Sequence, residues 1–470
     1  MVRALVAVLV ALALCLLWSG RITGSPIGGD AGQGLRMALS LERQGVMSLR
    51  LEAPFTPSMY REPLPVVVTA GVVRLHDAVY GESALEAYFS GPAARYLKLQ
   101  NLGWMLLLCA GVYLAVRHLT GSVWLALLGI ALLNVKLPLL ASGFDYLGLD
   151  ELETDLPAAA LLAFGSAMLS LGMHRRNPLV LGLCGLTFGA LALTKAAFLY
   201  VFVVLALFLI GTSIAAWARS LGRRAIIAPL VGVACFVLVV SGWMYRNYVQ
   251  FGVFEVSERG GVVLLIRAFK DEMTPLEFRG AFYVWAPSAL QPWIGKMLGF
   301  GEADLQRGGS LQRLNRTDTS DFYQSDYAAE RAGRPDLAVS YYRKARAERV
   351  RVRVKLYSSG ADPALADEIL KKEALDIIRA KPVDHLRLTL AFLWRGALIA
   401  FPVLMFAWAY SISRRRPDLY WLVLPALGLV LFYGVLSHFI PRYGVPMNPI
   451  VICAAVALAH AAWKRWGPAG

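Results

Sequence analysis

The stretch that decides the fold is PLVLGLCGLTFGALALTKAAFLYVFVVLALFLIGTS, residues 178–213, in which Lys195 is the one charged residue. Because roughly 20 apolar residues cross the hydrocarbon core as a helix, we interpret its two halves as short spans that share a turn at Lys195. The same criterion, applied outward along the chain, predicts about ten spans and hence an all-α polytopic membrane protein. The predicted spans are 4–19, 98–116, 122–141, 155–173, 178–193, 196–213, 225–243, 387–410, 418–436 and 446–462.

The composition supports this class of protein. Apolar residues make up 57% of the 470 residues and the mean hydropathy is +0.54, which excludes an ordinary soluble domain. Much of the net charge of +15 lies in loops that flank the spans, where it sets topology and contacts anionic membrane lipids. We therefore expect no nucleic-acid partner. The five cysteines lie in apolar stretches and predict neither disulfides nor a thiolate metal site.

Basic residues alternate with the spans. If the chain starts inside, every inside segment is basic, as the positive-inside rule requires. These segments are 1–3, 117–118, 174–176, 219–224, 414–416 and 464–465. Two long loops then lie outside, 20–97 and 244–386. Residues 1–19 look like a signal peptide or a first span, and we favour a retained span because many more spans follow.

This topology divides the chain into three parts. Residues 1–243 form a predicted transmembrane catalytic module that includes the first external loop. Residues 244–386 form an external region with helices, among them one amphipathic helix over about 335–382. Residues 387–470 form the C-terminal transmembrane helices.

Carboxylates gather on the outer side, opposite the basic loops. Asp30 lies in GGDAGQG just beyond the first span, where a carboxylate can act as a general base or serve as a helix N-cap. Glu62 lies in the Pro-rich turn that contains Tyr60, Arg61 and Pro63, which is either a rigid site turn or a solvated one.

A second acidic group opens the fourth span. Asp150, Glu151, Glu153 and Asp155 crowd its start, with Glu153 and Asp155 the deepest. Such a group can bind a divalent cation or an acceptor. Acids also favour the positive end of a helix dipole, so this alternative stays open.

Four cations at outer span ends run against the positive-inside trend: Lys136, Lys195, Arg246 and Arg442. Snorkelling explains any one of them. Together they indicate an anionic ligand, for which a lipid phosphate at the bilayer surface is the obvious candidate. Arg61 is a further candidate for this contact.

The order of these motifs resembles the integral-membrane GT-C glycosyltransferases, especially the bacterial branch similar to protein mannosyltransferases and aminoarabinose lipid A transferases. The most specific match is WMYRNYVQFGVFEVSERGG, residues 243–261. The others are Asp30, residues 60–63, residues 153–154, GALALTK at 189–195 and PRYGVP at 441–446. The resemblance covers most of the chain, with residues 265–365 contributing little.

The resemblance implies a GT-C-type fold and an inverting glycosyltransferase. Its donor would be a polyprenyl-phosphate-linked hexose or pentose, and its acceptor a glycan, lipid or protein. Transfer would occur on the outer, periplasmic face of the bacterial cytoplasmic (inner) membrane. The same resemblance makes Asp30 the catalytic base. Glu62 and Glu153 are further catalytic candidates among the outer carboxylates, and the candidates for holding the donor phosphate are Lys195, Arg246, Arg442 and Arg61.

Departures from the family pattern leave some roles open. Asp30 is followed by Ala31 where relatives often have an acidic pair, and Asp155 is an additional acid. Tyr60 and Asp155 are thus candidates for acceptor or metal binding, and a divalent cation stays open as a cofactor. Three rivals remain: a surface-polysaccharide polymerase or ligase, a non-enzymatic assembly protein, and a secondary transporter, which would call for internal repeats and midplane charges.

Overall fold

The computed structural model describes residues 2–136, 147–359 and 365–466, and within these ranges every regular element is a helix. In chain order they are α1 (Val2–Ser19), α2 (Gly29–Gln44), α3 (Pro63–Tyr80), α4 (Gly91–Lys98), α5 (Gln100–Thr120), α6 (Val123–Leu133), α7 (Asp155–Arg175), α8 (Pro178–Ala192), α9 (Ala197–Ala218), α10 (Arg223–Phe251), α11 (Gly260–Ala268), α12 (Pro275–Val284), α13 (Gln291–Leu298), α14 (Tyr323–Arg331), α15 (Tyr341–Ser358), α16 (Ala366–Ala380), α17 (Pro382–Ala397), α18 (Ala400–Ser413), α19 (Pro417–Leu436), α20 (Pro441–Gly444) and α21 (Asn448–Trp466). Short 3₁₀ turns occur at Leu85–Tyr88, Phe269–Glu272, Glu302–Leu305, Gln312–Leu314 and Val445–Met447.

The predicted membrane spans fall on apolar helices. Six helices are long and apolar enough to cross a bilayer: Gly91–Thr120, α7, α9, α10, α19 and Pro441–Trp466. Helices α17 and α18, bent by 101° at their junction, count as a seventh if they form one span. This confirms a polytopic α-helical membrane protein.

The other predicted spans coincide with shorter helices. Helix α1 occupies the predicted first span, and α6 and α8 lie within the predicted third and fifth spans with 11 and 15 residues. Residues 137–141 of the third span lie outside the described ranges. Six or seven of the predicted spans therefore reach crossing length in the described residues.

The chain divides into two compact units, each considered by itself. The first unit comprises Met1–Ser257, Ile399–Leu429 and Gly444–Gly470, and the second comprises Glu258–Leu398 and Val430–Tyr443. The first unit takes in the predicted module 1–243 and extends it by the segment after α10. It also contains much of the predicted C-terminal segment 387–470, whereas α17 falls in the second unit.

Close backbone contacts hold the first unit together. Helix α5 packs on α7, and a Cβ at Gly111 would stand 2.6 Å from the backbone nitrogen of Phe164. Helix α8 packs on α10, where a Cβ at Gly185 would stand 2.0 Å from the carbonyl oxygen of Gly232. Small residues let membrane helices approach in this way. Helix α7 is the most enclosed of the six spans.

The segment 20–97 folds beside the start of α7. Ile27 and the apolar side of α2 (Ala31, Leu35 and Leu39) pack against α3, α4 and the turn between them. Leu152, just before α7, packs against the same cluster. The start of α2 therefore lies beside the acidic segment that precedes α7.

The second unit consists of shorter helices. Helix α11 packs on α16, and the backbone nitrogen of Gly261 donates to Asp367 Oδ2 at 2.8 Å. The single amphipathic helix predicted for about 335–382 was wrong. Ser340 caps α15, which ends at Ser358, and α16 begins at Ala366. The apolar residues of this segment are divided between two short helices, α15 and α16, which pack on each other.

Candidate functional site

Asp30, at the start of α2, is held in an ion pair by Arg61. The N-cap of α2 is Gly28, which makes no side-chain cap, and Asp30 lies in the first helical turn. Arg61, only 6% exposed, donates through Nη2 to Asp30 Oδ1 and, at 2.6 Å, to Gln33 Oε1. The structure therefore places Asp30 in an ion pair and not at the N-cap position that the sequence left as the alternative.

The turn that carries Arg61 connects α2 with the end of α8. Glu62 is the N-cap residue of α3 without a side-chain cap, and Pro63 follows at the first helical position, where proline needs no donor. The backbone nitrogen of Leu64 donates to the carbonyl oxygen of Leu193 at 3.0 Å. Within the described residues Glu62 makes no hydrogen bond or ion pair. The Arg61 guanidinium lies 5.7 Å from the centre of the Tyr60 ring.

Lys195 forms a second ion pair two residues beyond Leu193. Its Nζ donates to Oδ1 of Asp155, the first residue of α7, which is 4% exposed. A carboxylate at a helix N-terminus is favoured by the helix dipole, and here it also neutralises a buried cation. The predicted turn at Lys195 is therefore confirmed, and its charge is matched by an acid that the sequence had grouped with three others.

A pocket of about 320 Å³ lies between the start of α2 and the segment before α7. Its walls include Gly28 and Ala31 on either side of Asp30 in sequence, and Glu153, two residues before Asp155. The remaining lining residues are Ser25, Pro26, Ile27, Lys98, Asp150, Glu151 and Leu152. Of the predicted site residues, Glu153 lines this pocket, whereas Asp30, Arg61, Asp155 and Lys195 are not among its described lining residues.

One wall of this pocket is fixed by Lys98, which is 1% exposed. Its Nζ donates to Ser25 Oγ at 2.6 Å and to Asp150 Oδ1 at 3.2 Å. Thr23 donates to both carboxylate oxygens of Asp150, each at 2.6 Å. Partial burial raises the pKa of Asp150, but the hydrogen bonds from Thr23, Ser25 and Lys98 outweigh it and leave this pKa below its usual value. Asp150 therefore anchors the wall as a carboxylate.

The RNY motif lies at the outer end of α10. Asn247 is fully buried and its Nδ2 donates to the carbonyl oxygen of Glu255 at 2.7 Å, which folds back the chain after Gly252. Gly252 ends the helix with φ of 71°, a conformation that suits glycine. Trp243 packs against the apolar cluster between α2 and α3. This motif therefore ties α10 to the folded first loop.

Arg246 differs from the other predicted phosphate contacts of the first unit. Its Nη1 donates to Asn247 Oδ1 at 2.8 Å, and its guanidinium lies 4.7 Å from the centre of the Trp243 ring. It forms no ion pair with a carboxylate in the part of the chain that is described. Arg61 and Lys195, in contrast, each have an acidic partner. Arg442, on α20, belongs to the second unit.

No group of three or more His, Cys, Asp or Glu side chains is placed to hold a metal ion in the described ranges. Asp150 accepts hydrogen bonds from Thr23, Ser25 and Lys98, and Asp155 pairs with Lys195, so two of the four predicted acids already have donors. We derive no chemical step through a metal.

Sequence reasoning missed Gln33 and Lys98. The spacing of Asp30 and Gln33, one helical turn apart on α2, could have indicated a shared partner. Lys98 carries no comparable signal, because its acidic partner lies more than 50 positions away and its burial depends on the folded loop.

No family model and no curated protein sequence matches the chain. Among solved structures it is similar to the archaeal oligosaccharyltransferase AglB from Archaeoglobus fulgidus, in complex with an inhibitory peptide and a dolichol-phosphate. The identity is 14% and the TM-score 0.46 over 98% of this chain. This chain spans about half, 52%, of that protein.

It is also similar to ArnT from Cupriavidus metallidurans bound to undecaprenyl phosphate, at 16% identity and a TM-score of 0.38 over 94% of this chain and 77% of that one. For ArnT in the apo state the identity is 14% and the TM-score 0.36, over 96% and 78% of the two chains.

Proposed function

We propose that the protein is a GT-C-type glycosyltransferase. It moves a hexose or pentose from a polyprenyl-phosphate donor to a glycan, lipid or protein acceptor on the outer face of the bacterial cytoplasmic membrane. The observation that carries this proposal is the ion pair between the buried Arg61 and the partly exposed Asp30, whose sequence neighbours Gly28 and Ala31 line the pocket.

Asp30 is the proposed general base. The Arg61 guanidinium orients its carboxylate and favours its ionised form, so that it can accept the proton of the acceptor hydroxyl during attack on the anomeric carbon. The bond from the acceptor oxygen to the anomeric carbon forms as the bond to the phosphate oxygen breaks. Direct displacement of this kind inverts the anomeric centre. Glu62 and Glu153 are the other carboxylates that could take this role.

Arg246 is the proposed first contact of the donor phosphate. A phosphate monoester leaves as an anion, so a cation beside it stabilises the transition state without transferring a proton. Arg246 suits this role because its guanidinium is already positioned by Trp243 and Asn247 and has no carboxylate partner among the described residues. Lys195, Arg61 and Arg442 remain further candidates, the first two with their charge already matched by an acid.

Purified protein incubated with a panel of polyprenyl-phosphate sugars and candidate acceptors tests the proposal. We expect release of polyprenyl phosphate in step with a glycosylated product of inverted configuration. The matched control replaces each donor by the corresponding polyprenyl-diphosphate sugar. Release of polyprenyl diphosphate alone would favour the polymerase or ligase alternative, and no release from any donor would contradict a transferase.

A further inference from the structure

Lys270, in the second unit, is a buried cation without a counter-ion among the described residues. It lies in the 3₁₀ turn Phe269–Glu272 and is 5% exposed. Its ammonium lies 5.2 Å from the centre of the Phe392 ring and 5.6 Å from that of Trp285, and these two rings stack on each other. Cation–π contacts offset only part of the cost of removing an ammonium from water.

Arginines lie near Lys270. Arg395 contacts the same aromatic pair, with its guanidinium 4.7 Å from the centre of the Trp285 ring. Burial, followed by the charges of Arg395, Arg316 and Arg267, holds the pKa of Lys270 well below its usual range. Three arginines thus repel a lysine that aromatic rings enclose.

His438 extends this cluster. It is buried, its Nδ1 has no hydrogen-bond partner in the described part of the chain, and its ring lies 6.1 Å from that of Tyr342. The Arg316 guanidinium lies 4.8 Å from the centre of the same Tyr342 ring. Burial, and then the charges of Lys270, Arg316 and Arg395, lower the pKa of His438 well below its usual value.

The acids of this region are occupied elsewhere. Asp271 accepts from Arg267 at 2.9 Å and is 2.7 Å from His385 Nδ1. Glu277 accepts from Arg313 on two oxygens. Among the described residues no carboxylate forms an ion pair with Lys270, Arg316 or Arg395. The positive charge is therefore left for a group outside the chain to neutralise.

We propose that Lys270, Arg316, Arg395 and His438 form a binding site for a phosphate-bearing ligand. A phosphate dianion accepts several hydrogen bonds and matches a ring of cations, and guanidinium groups bind it bidentately. The ligand is a phosphate, carried either by a lipid or by a soluble molecule. This cluster, here called the second-unit cation site, does not depend on the proposed transfer reaction, because it contains none of its residues.

Thermal unfolding of the detergent-purified full chain tests this site, in buffer free of phosphate and sulfate. One arm titrates inorganic phosphate and the other polyprenyl phosphate. We expect Tm to rise with at least one of them. A rise with inorganic phosphate indicates a soluble source, and a rise with polyprenyl phosphate alone indicates a lipid headgroup. No rise with either ligand would overturn the proposal.

Three variants assign the response to the cluster. Lys270→Met should fold at a Tm equal to or above that of the unmodified protein in anion-free buffer, because a repelling charge is removed. It should lose the rise with inorganic phosphate and, in an Arg246→Gln background that removes the proposed donor contact, the rise with polyprenyl phosphate. Arg316→Gln, at a less buried position, should weaken phosphate binding about tenfold or more. The control Lys296→Gln, an exposed lysine of α13, should change neither value.

The assignment would be overturned if Lys270→Met and Arg316→Gln kept the full anion-dependent rise in Tm. If Lys270→Met failed to fold, Arg316→Gln alone would decide, since unchanged phosphate affinity in that variant contradicts the site. Loss of transfer activity in variants of the first unit has no bearing on either outcome.

Discussion

The two units differ in the partners of their buried cations. In the first unit, Arg61 and Lys195 each face a carboxylate, Asp30 and Asp155. In the second unit, Lys270, Arg316 and Arg395 lie against aromatic rings without a carboxylate partner among the described residues, although Arg267 beside them pairs with Asp271. A paired cation orients its partner and is stable without a ligand, whereas a cluster of unpaired cations is stabilised by an anion from outside. We therefore assign the first pattern to positioning a base and the second to binding phosphate.

Replacing one buried lysine in each unit by methionine should give the largest difference in stability between the two units. Lys195→Met leaves the carboxylate of Asp155 buried without its partner, which should lower the free energy of unfolding by about 3–5 kcal/mol. Lys270→Met removes a repelling charge and should not destabilise the protein in anion-free buffer. Denaturant unfolding of the two variants measures both effects. Equal losses in the free energy of unfolding would show that both lysines stabilise the fold to the same extent and would contradict this comparison.

Arg61 should act on turnover and not on donor binding. Arg61→Gln leaves Asp30 without the group that orients it, and misplacement of a catalytic group should lower kcat by about 10²-fold. Because Arg61 acts through Asp30 in this assignment and Arg246 is the proposed phosphate contact, KM for the donor should stay the same. Arg61→Lys, which keeps the charge, should recover part of kcat. A rise in KM without a fall in kcat would instead place Arg61 on the donor phosphate.

Arg246, in contrast, should act on donor binding. Arg246→Gln removes a charge-assisted contact, which should weaken binding of the polyprenyl-phosphate donor by about 1.5–3 kcal/mol. The control Arg74→Gln, at an exposed position of α3, should bind the donor normally. Direct binding of labelled donor lipid measures both variants. Unchanged affinity in Arg246→Gln would remove this residue from the phosphate site.

Asp150 should contribute a small, pH-dependent term to stability. Its pKa in the folded protein lies below the ordinary 3.8, mainly because Thr23, Ser25 and Lys98 donate to the carboxylate against the effect of burial. The stabilisation is therefore fully present above that pH and is lost as the pH falls through the folded-state pKa. Asp150→Asn should flatten the pH dependence of Tm in this acidic range, and an unaltered profile would contradict the pairing.

Much of the first unit could be predicted from the sequence, because its signals are local. Hydropathy predicted the apolar helices, the basic loops predicted their orientation, and the motifs around Asp30, Lys195 and Arg246 indicated the candidate site. The pairing within the motifs could not be predicted. The contacts of Arg61, one candidate for the donor phosphate, with Asp30 and Gln33 depend on how the first loop folds.

The cation cluster of the second unit has no comparable local signal in the sequence. Lys270, Arg316, Arg395 and His438 are spread over more than 160 positions, each with an ordinary surrounding sequence. All four lie outside the motifs of the family resemblance, and their closeness arises from the packing of short helices. A charge cluster assembled by tertiary structure has no spacing for sequence reasoning to find.

The central claim is that Asp30 is the base, positioned by Arg61, and one single-turnover measurement tests it most directly. Asp30→Asn keeps the size of the side chain and should leave folding and donor binding nearly intact. The rate of sugar transfer should fall about 10²–10⁴-fold, because the acceptor proton has no base to receive it. Glu42→Gln, which removes an acid elsewhere on α2, should transfer at the normal rate. Near-normal transfer by a well-folded Asp30→Asn variant would contradict the claim and shift the base to Glu62 or Glu153.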